Sequence, residues 1–241
     1  SMTKTVASVA LMILVEDGKL SLLDPVDRYL PAFANVQVVS GGTASAPELR
    51  AAKTPITLQH LLTHTAGFPA GRPGDDVAAT LQEHADPHGA ADLRVFVDRL
   101  AGGPLAADPG TRFGYDGAGL EAISRIVEVV SGQSFSDFLQ ARIFVPLRMQ
   151  DTGFSVPAAQ RSRVVDITKT DDDGTLRLDD GPSARQPGQP LNRYESGAGG
   201  LYSTAGDYGR FAQMLLNGGA FEGHVLLGRK TVELMLGNHL A

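Results

Sequence analysis

A run of apolar and small residues near the start of the chain places the strongest constraint on its fold. From Val6 to Val15 every residue except Ser8 is apolar or alanine, and an acidic pair followed by Gly18 then interrupts the run. This length, with glycine at the end, is typical of an α-helix. A helix that is apolar on nearly every side must lie inside a core. The sequence therefore predicts a buried helix that starts within residues 1–4.

The first turn of this helix carries two side chains that could do chemistry together. Ser1 and Lys4 are three positions apart and so share one face. A serine hydroxyl needs a nearby base to become a nucleophile, and a partly desolvated lysine can supply one. The helix N-terminus adds positive potential where an oxyanion would form. Taken alone, these four residues favour a simpler interpretation, in which Ser1 is a helix cap and Lys4 is a solvated charge of the first turn.

Composition limits the class of protein. The chain has 241 residues, of which 42% are hydrophobic and 20% are charged, as in a globular protein of one large or two small domains. The formal net charge of −6 argues against nucleic-acid binding as the main task. No uninterrupted apolar run is long enough to cross a membrane, so we expect no membrane span.

Metal and cofactor sites are not expected. The chain has no cysteine, which excludes disulfides and thiolate metal ligands. His60 and His64 are four positions apart, a spacing that can bind metal, but no HExxH pattern accompanies them. Oligomeric state and cellular compartment stay open at this stage.

Apolar residues recur at helical spacing in several later stretches, most of them opened by a capping residue or closed by glycine. This pattern predicts helices over residues 57–67, in the stretch up to about residue 100, and over 118–130, 135–144, 204–216 and 229–236. In the second of these, the apolar face is formed by Leu93, Phe96, Val97 and Leu100.

The segments between these helices are expected to be mostly loops. Residues 37–53 are small, polar and rich in glycine, and we expect an exposed loop there. Partial alternation on both sides of Asp173-Gly174 predicts a short hairpin near residues 164–178. The glycines of 197–201 lack the Lys-Ser/Thr of a phosphate-binding loop, so we interpret them as a point of tight backbone packing.

Several motifs, in their order and spacing, resemble those of a known superfamily. They are Ser1-Met2-Thr3-Lys4 as an S-x-x-K motif, Asp17-Gly18-Lys19-Leu20, residues 56–67, Phe113-Gly114-Tyr115, Val130-Ser131-Gly132, residues 143–147 and residues 199–204. Together they resemble the serine β-lactamase and penicillin-binding-protein superfamily, and within it the class C β-lactamase-like branch that includes family VIII carboxylesterases.

The resemblance implies an α+β fold of the β-lactamase/transpeptidase type. Residues 1–20 would form the nucleophile helix at the domain interface. Residues 21–241 would form a mostly helical domain with the short hairpin near 164–178. The family's antiparallel sheet, including the strand with a third K-T-G, H-x-G or W-G-G motif, is not recognisable here. We therefore expect segments outside this chain to supply the sheet.

The resemblance also implies a mechanism. Ser1 would attack an ester or amide carbonyl and form an acyl-enzyme, while Lys4 and Tyr115 would share the proton transfers. A tyrosine with an unperturbed pKa of about 10 can act near neutral pH if a lysine beside its oxygen favours the phenolate. His60 and His64 fall outside this catalytic set, and neither a cofactor nor a metal is implied.

One departure from the family pattern bears on the substrate. The family's Y-x-N motif places an asparagine that holds the side-chain amide of a lactam, but here Tyr115 is followed by Asp116 and Gly117. This change favours a carboxylesterase acting on a small-molecule ester over an enzyme acting on a lactam. A β-lactamase or D-alanyl carboxypeptidase, an acyltransferase, and a penicillin-binding-like sensor without turnover are the alternatives.

Overall fold

The computed structural model describes residues 1–240, except for the side chains of residues 182 and 183. Its helices are α1 (Thr3–Glu16), α2 (Leu58–Leu62), α3 (Asp76–Ala85), α4 (Leu93–Gly102), α5 (Ala118–Ser131), α6 (Phe135–Leu139), α7 (Pro182–Arg185), α8 (Ala205–Leu216) and α9 (Arg229–Leu236). Its strands are β1 (Gln37–Thr43), β2 (Ala46–Ala51), β3 (Thr168–Thr170), β4 (Leu176–Leu178), β5 (Ala220–Phe221) and β6 (His224–Val225).

Helix α1 forms the centre of the core, as its apolar sequence predicts. Val9, Ala10 and Leu11 are fully buried, and the helix packs against α5. Full burial of a valine or leucine side chain contributes about 1.5–3 kcal/mol to folding. The N–H of Lys4 bonds to the carbonyl of Ser1 at 3.2 Å, so the first turn begins at Ser1. The buried helix therefore carries the Ser-x-x-Lys pair at its N-terminal end.

The predicted helices α4 to α6 and α8 to α9 are present, and the predicted apolar face of α4 points inward. The four predicted face residues of α4 are all buried. Ser134 caps α6 by accepting from the N–H of Asp137, and a π-helical turn over Gln140–Phe144 continues the helix. Thr204 caps α8 in the same way through the N–H of Asp207. Local capping and periodicity thus decide where these helices begin.

The prediction of an exposed loop over residues 37–53 is wrong. Strands β1 and β2 pair as an antiparallel hairpin across this region, with a bulge between Val39 and Gly41. Val38 is buried, and the N–H of Val39 bonds to the carbonyl of Leu105. The glycines and polar residues concealed the strands because the contacts that stabilise them come from distant parts of the chain.

The prediction that Gly67 closes the second helix is also wrong. Thr57 does cap α2, but the helix ends at Leu62 and the chain turns at His64, which has a φ of 56°. Gly67 lies in the following loop, with a φ of 93° and no room for a side chain, since an added Cβ would lie 2.2 Å from the carbonyl oxygen of Ala107. This early turn lets His64 approach the loop before α5.

The remaining strands form small hairpins. Strands β3 and β4 pair in register on either side of the Asp173-Gly174 turn, and β5 pairs with β6. Within residues 1–240 each sheet has two strands. In the same part of the chain no helix is long and apolar enough to cross a membrane.

Candidate active site

Ser1 and Lys4 meet at the N-terminal end of α1. The ammonium of Lys4 donates to Ser1 Oγ at 3.3 Å and to the carbonyl oxygen of Ala198 at 2.8 Å. Ser1 is exposed, whereas Lys4 is half-buried. A groove of about 200 Å³ borders Lys4 and is lined in part by Thr5, His64 and Leu120. The lysine is thus held in one place while the serine stays open to a substrate.

Tyr115 joins this pair from the loop before α5. Its side chain is 53% exposed, and Lys4 Nζ lies 5.2 Å from the centre of its ring. A hydrogen bond with Ser1 is the main cause that lowers the pKa of the Tyr115 hydroxyl, and the positive charge of Lys4 lowers it further. The pKa is lowered because both groups stabilise the phenolate. The structure therefore brings all three sequence-predicted site residues together.

His64 and Asp116 hold the Tyr115 loop in place. The rings of His64 and Tyr115 pack with their centres 4.7 Å apart, and the N–H of Gly114 bonds to the His64 carbonyl at 2.8 Å. The N–H of Asp116 donates to His64 Nδ1, and its carboxylate accepts from the N–H of Gly119 at 2.8 Å. The Asp116 side chain is 7% exposed. Asp116 therefore supports the first turn of α5 and does not reach outward as a substrate-binding group.

Two further parts of the site were not predicted from sequence. One is the carbonyl of Ala198. It belongs to the glycine-rich segment before α8, which packs in space between helices α1 and α5. An added Cβ at Gly197 would lie 2.0 Å from Ser124 Oγ, so the predicted tight backbone packing is confirmed. The other is Glu121, a buried carboxylate in α5. The sequence carried no signal for it, because adjacent helix positions do not share a face and Glu121 falls outside the apolar face that Leu120 shares with Ile123 and Val127.

The two histidines at metal-binding spacing have other contacts. His60 Nδ1 accepts from the N–H of Thr57 and completes the cap of α2, while His64 Nδ1 accepts from Asp116. Among residues 1–240 no group of three or more histidine or acidic side chains is arranged to hold a metal ion.

The arrangement of these side chains suits nucleophilic chemistry. Ser1 Oγ lies within reach of a tyrosine whose pKa is lowered and of an ammonium that stabilises the phenolate. A hydroxyl, a base and a group that orients the base are the parts required to activate a serine. The positive end of α1 favours the negative charge that would develop on a carbonyl oxygen under attack.

Comparison with known proteins places the chain in a family. The model of the Beta-lactamase family matches residues 1–238. Protein Rv1367c of Mycobacterium tuberculosis is 34% identical over 98% of this chain and 57% of its own length. Lovastatin esterase of Penicillium rubens is 32% identical over 100% of this chain and 59% of its own length.

A solved structure of a similar protein has the same fold. The unliganded selenomethionyl form of simvastatin synthase from Aspergillus terreus superposes with a TM-score of 0.80 at 28% identity, covering 100% of this chain and 58% of that one. The chain thus spans somewhat more than half the length of the relatives it matches. By its family match and its structure, the chain belongs to the Beta-lactamase family and has the β-lactamase/transpeptidase-like fold.

Proposed function

We propose that this protein is a serine hydrolase that cleaves small carboxylic esters through an acyl-enzyme on Ser1. The observation that carries the proposal is the position of Lys4, whose ammonium bonds to Ser1 Oγ and lies over the Tyr115 ring. A lysine in that position stabilises a phenolate that can accept the serine proton.

The proposed reaction has two half-reactions. In the first, Ser1 Oγ attacks the ester carbonyl, and its proton passes to the Tyr115–Lys4 pair and then to the departing alcohol. In the second, the same pair removes a proton from water, which attacks the acyl carbon, and returns that proton to Ser1 Oγ as the bond to the acyl group breaks and the acid leaves. General acid–base help of this kind typically contributes about 10²–10⁴-fold to a rate.

The two residues that follow Tyr115 favour an ester over a lactam as the substrate. The asparagine of the Y-x-N motif, whose amide holds the substrate in β-lactamases, is replaced here by Gly117, and the neighbouring Asp116 carboxylate is buried and bonded to the first turn of α5. The match to lovastatin esterase also supports an ester. β-Lactamase or D-alanyl carboxypeptidase activity is the closest rival.

Acyl transfer to an alcohol is a second candidate. The similarity to the acyltransferase mokF of Monascus pilosus, 30% identical over 98% of this chain and 55% of its own length, favours it. In acyl transfer, an alcohol or amine takes the place of water in the second half-reaction, and the roles proposed for Ser1, Lys4 and Tyr115 stay the same.

The proposal is tested by labelling and by substrate competition. A fluorophosphonate should add one adduct at Ser1, seen in the intact mass, and Ser1→Ala should abolish it, whereas Ser45→Ala in an exposed turn should not. Rates on a nitrophenyl butyrate and on a chromogenic cephalosporin are then compared. Faster cleavage of the cephalosporin would contradict the ester preference, and faster turnover when an alcohol is added would favour the acyltransferase.

A further inference from the structure

Glu121 is a buried acid that the proposed reaction does not use. It lies in the first half of α5 and is 3% exposed, between the buried apolar residues Leu120 and Ala122. Burying a carboxylate costs several kcal/mol unless hydrogen bonds and nearby charges compensate. Its contacts therefore show what it stabilises.

Both oxygens of Glu121 bind the glycine-rich segment before α8. Oε1 accepts from the hydroxyl of Ser196 at 2.5 Å, and Oε2 accepts from the N–H of Gly197 at 3.0 Å. The same Ser196 hydroxyl oxygen accepts from the N–H of Gly199 at 3.3 Å. One carboxylate thus fixes the backbone of residues 196–199.

That segment reaches the reacting groups through the next residue. Gly197 lies between the two central helices, where an added Cβ would lie 3.2 Å from Ala7 of α1 and 3.0 Å from the Leu120 carbonyl of α5. Ala198 follows directly, and its carbonyl is the acceptor for Lys4 at 2.8 Å. A displacement of Gly197 would therefore move the acceptor that holds the lysine.

We propose that Glu121 is a positioning residue for the candidate active site, which holds the Ser196–Ala198 turn so that the Ala198 carbonyl keeps Lys4 beside Ser1. The proposal rests on the proposed function, because Lys4 matters only if Ser1 is acylated. We also assign Glu121 an electrostatic role, since its negative charge lies near the ammonium of Lys4. The positive charge of Lys4 stabilises the charged form of the Glu121 carboxylate.

The groups that face Glu121 set the pH at which it ionises. Burial raises its pKa to about 7, while hydrogen bonds from Ser196 and the backbone, and then the charge of Lys4 on α1, act in the opposite direction. Tyr194 faces it from the loop before Ser196, and His88 contacts the Tyr194 hydroxyl at 3.3 Å. As pH falls through about 7, protonation removes the charge beside Lys4, and the acylation rate should fall with it.

The first experiment measures the acylation rate of Glu121→Gln against pH, with Glu128→Gln as the matched control. Glu128 lies on the same helix but pairs with Arg125. The amide keeps the size of the side chain and removes its charge, so we expect a loss of about tenfold or more and a changed acid limb, since small misplacements near the reacting atoms cost up to about 10²-fold. A Glu121→Gln protein with the rate and pH profile of the Glu128→Gln control would overturn the proposal.

The second experiment does not need activity. Carbon-13 NMR of labelled glutamate carboxyls follows the Glu121 titration, assigned by its absence in Glu121→Gln. We expect the Glu121 pKa to rise in Lys4→Met, because the lysine charge that lowers it is gone. An unchanged Glu121 titration in Lys4→Met would overturn the electrostatic role.

A milder variant covers the case in which Glu121→Gln does not fold. Ser196→Ala removes the hydrogen bonds of the Ser196 hydroxyl with Glu121 and Gly199 but keeps the carboxylate, so it should raise the Glu121 pKa and slow acylation by less than Glu121→Gln. A Ser196→Ala protein with wild-type acylation would contradict the positioning role. If the wild-type protein takes no fluorophosphonate adduct, the proposed function fails, and the NMR titration alone then decides the inference about Glu121 and Lys4.

Discussion

The ammonium of Lys4 lies 2.8 Å from the carbonyl oxygen of Ala198, although 194 positions separate the two residues in the chain. A free lysine side chain has about 2 kcal/mol of rotamer entropy, which this contact helps to restrict. Because the carbonyl belongs to a segment packed between α1 and α5, the direction of the lysine is set by the core of the protein. This contact connects the stability of the fold to the proposed chemistry.

Removal of the Lys4 amine should reduce acylation by about 10²–10⁴-fold, the usual contribution of a proton-transfer group. The change Lys4→Ala leaves the apolar residues of α1 buried, so the circular dichroism spectrum should stay close to that of the wild type. Lys19→Ala, an exposed lysine beyond α1, is the control. Fluorophosphonate labelling rates of the three proteins give the comparison, and equal rates would exclude Lys4 from the mechanism.

Tyr115→Phe should lose acylation to a similar extent and should also remove one step from the tyrosine titration. Ser1 and Lys4 lower the pKa of Tyr115, whereas burial raises those of Tyr194 and Tyr202. The phenolate that we propose as the base is present above the lowered pKa of Tyr115 and is lost as pH falls through it, so activity should fall on the acid side. Near-ultraviolet absorbance measures the titration. A Tyr115→Phe protein with near-normal turnover would remove Tyr115 from the mechanism.

His64 should affect both the rate and the stability, and two substitutions separate these effects. Asn and Ala at this position both remove the ring that packs on Tyr115, so both should slow acylation by about 10- to 10²-fold. Asparagine tolerates the positive φ of this position better than alanine, so His64→Asn should be more stable than His64→Ala by up to about 1 kcal/mol.

Urea unfolding and labelling rates, measured on the two His64 variants, give these values. Wild-type labelling in both variants would show that the His64 ring does not position Tyr115. Equal unfolding midpoints would show that the backbone conformation at His64 stores no strain.

The β1–β2 hairpin should make the protein sensitive to acid. Arg50 of β2 donates two hydrogen bonds to Asp108, which also accepts from the N–H of Lys53. These contacts lower the pKa of Asp108 to about 2. Since an unfolded aspartate has a pKa of about 3.9, the stabilisation is complete above that pH and is lost as pH falls toward 2.

Denaturant midpoints between about pH 2 and pH 5 test this linkage. Asp108→Asn should be less stable than the wild type at the upper end, and the difference should shrink as pH falls. Asp166→Asn, an exposed aspartate, is the control. A constant difference across the range would contradict the assignment to Asp108.

The sequence predicted the helices better than the other elements. The apolar faces of α4 and α5 depend on residues three or four positions apart. The caps at Ser134 and Thr204 likewise involve residues three positions apart, so both patterns are visible in the sequence. Strands β1 and β2 were missed because Val38 is buried by distant residues, and the N–H of Val39 bonds to Leu105. Local rules carry no information about such partners.

For the site, the sequence alone identified Ser1, Lys4 and Tyr115 as candidates, because Ser-x-x-Lys shares one helical turn and the tyrosine stands before a helix in a recognisable motif. Only the tertiary structure decided that Asp116 turns toward α5, that Ala198 holds Lys4, and that Glu121 lies behind both. The physical reason is separation along the chain. A serine and a lysine one turn apart meet through helix geometry, whereas the groups that fix the lysine meet it only when α1, α5 and the glycine segment pack together.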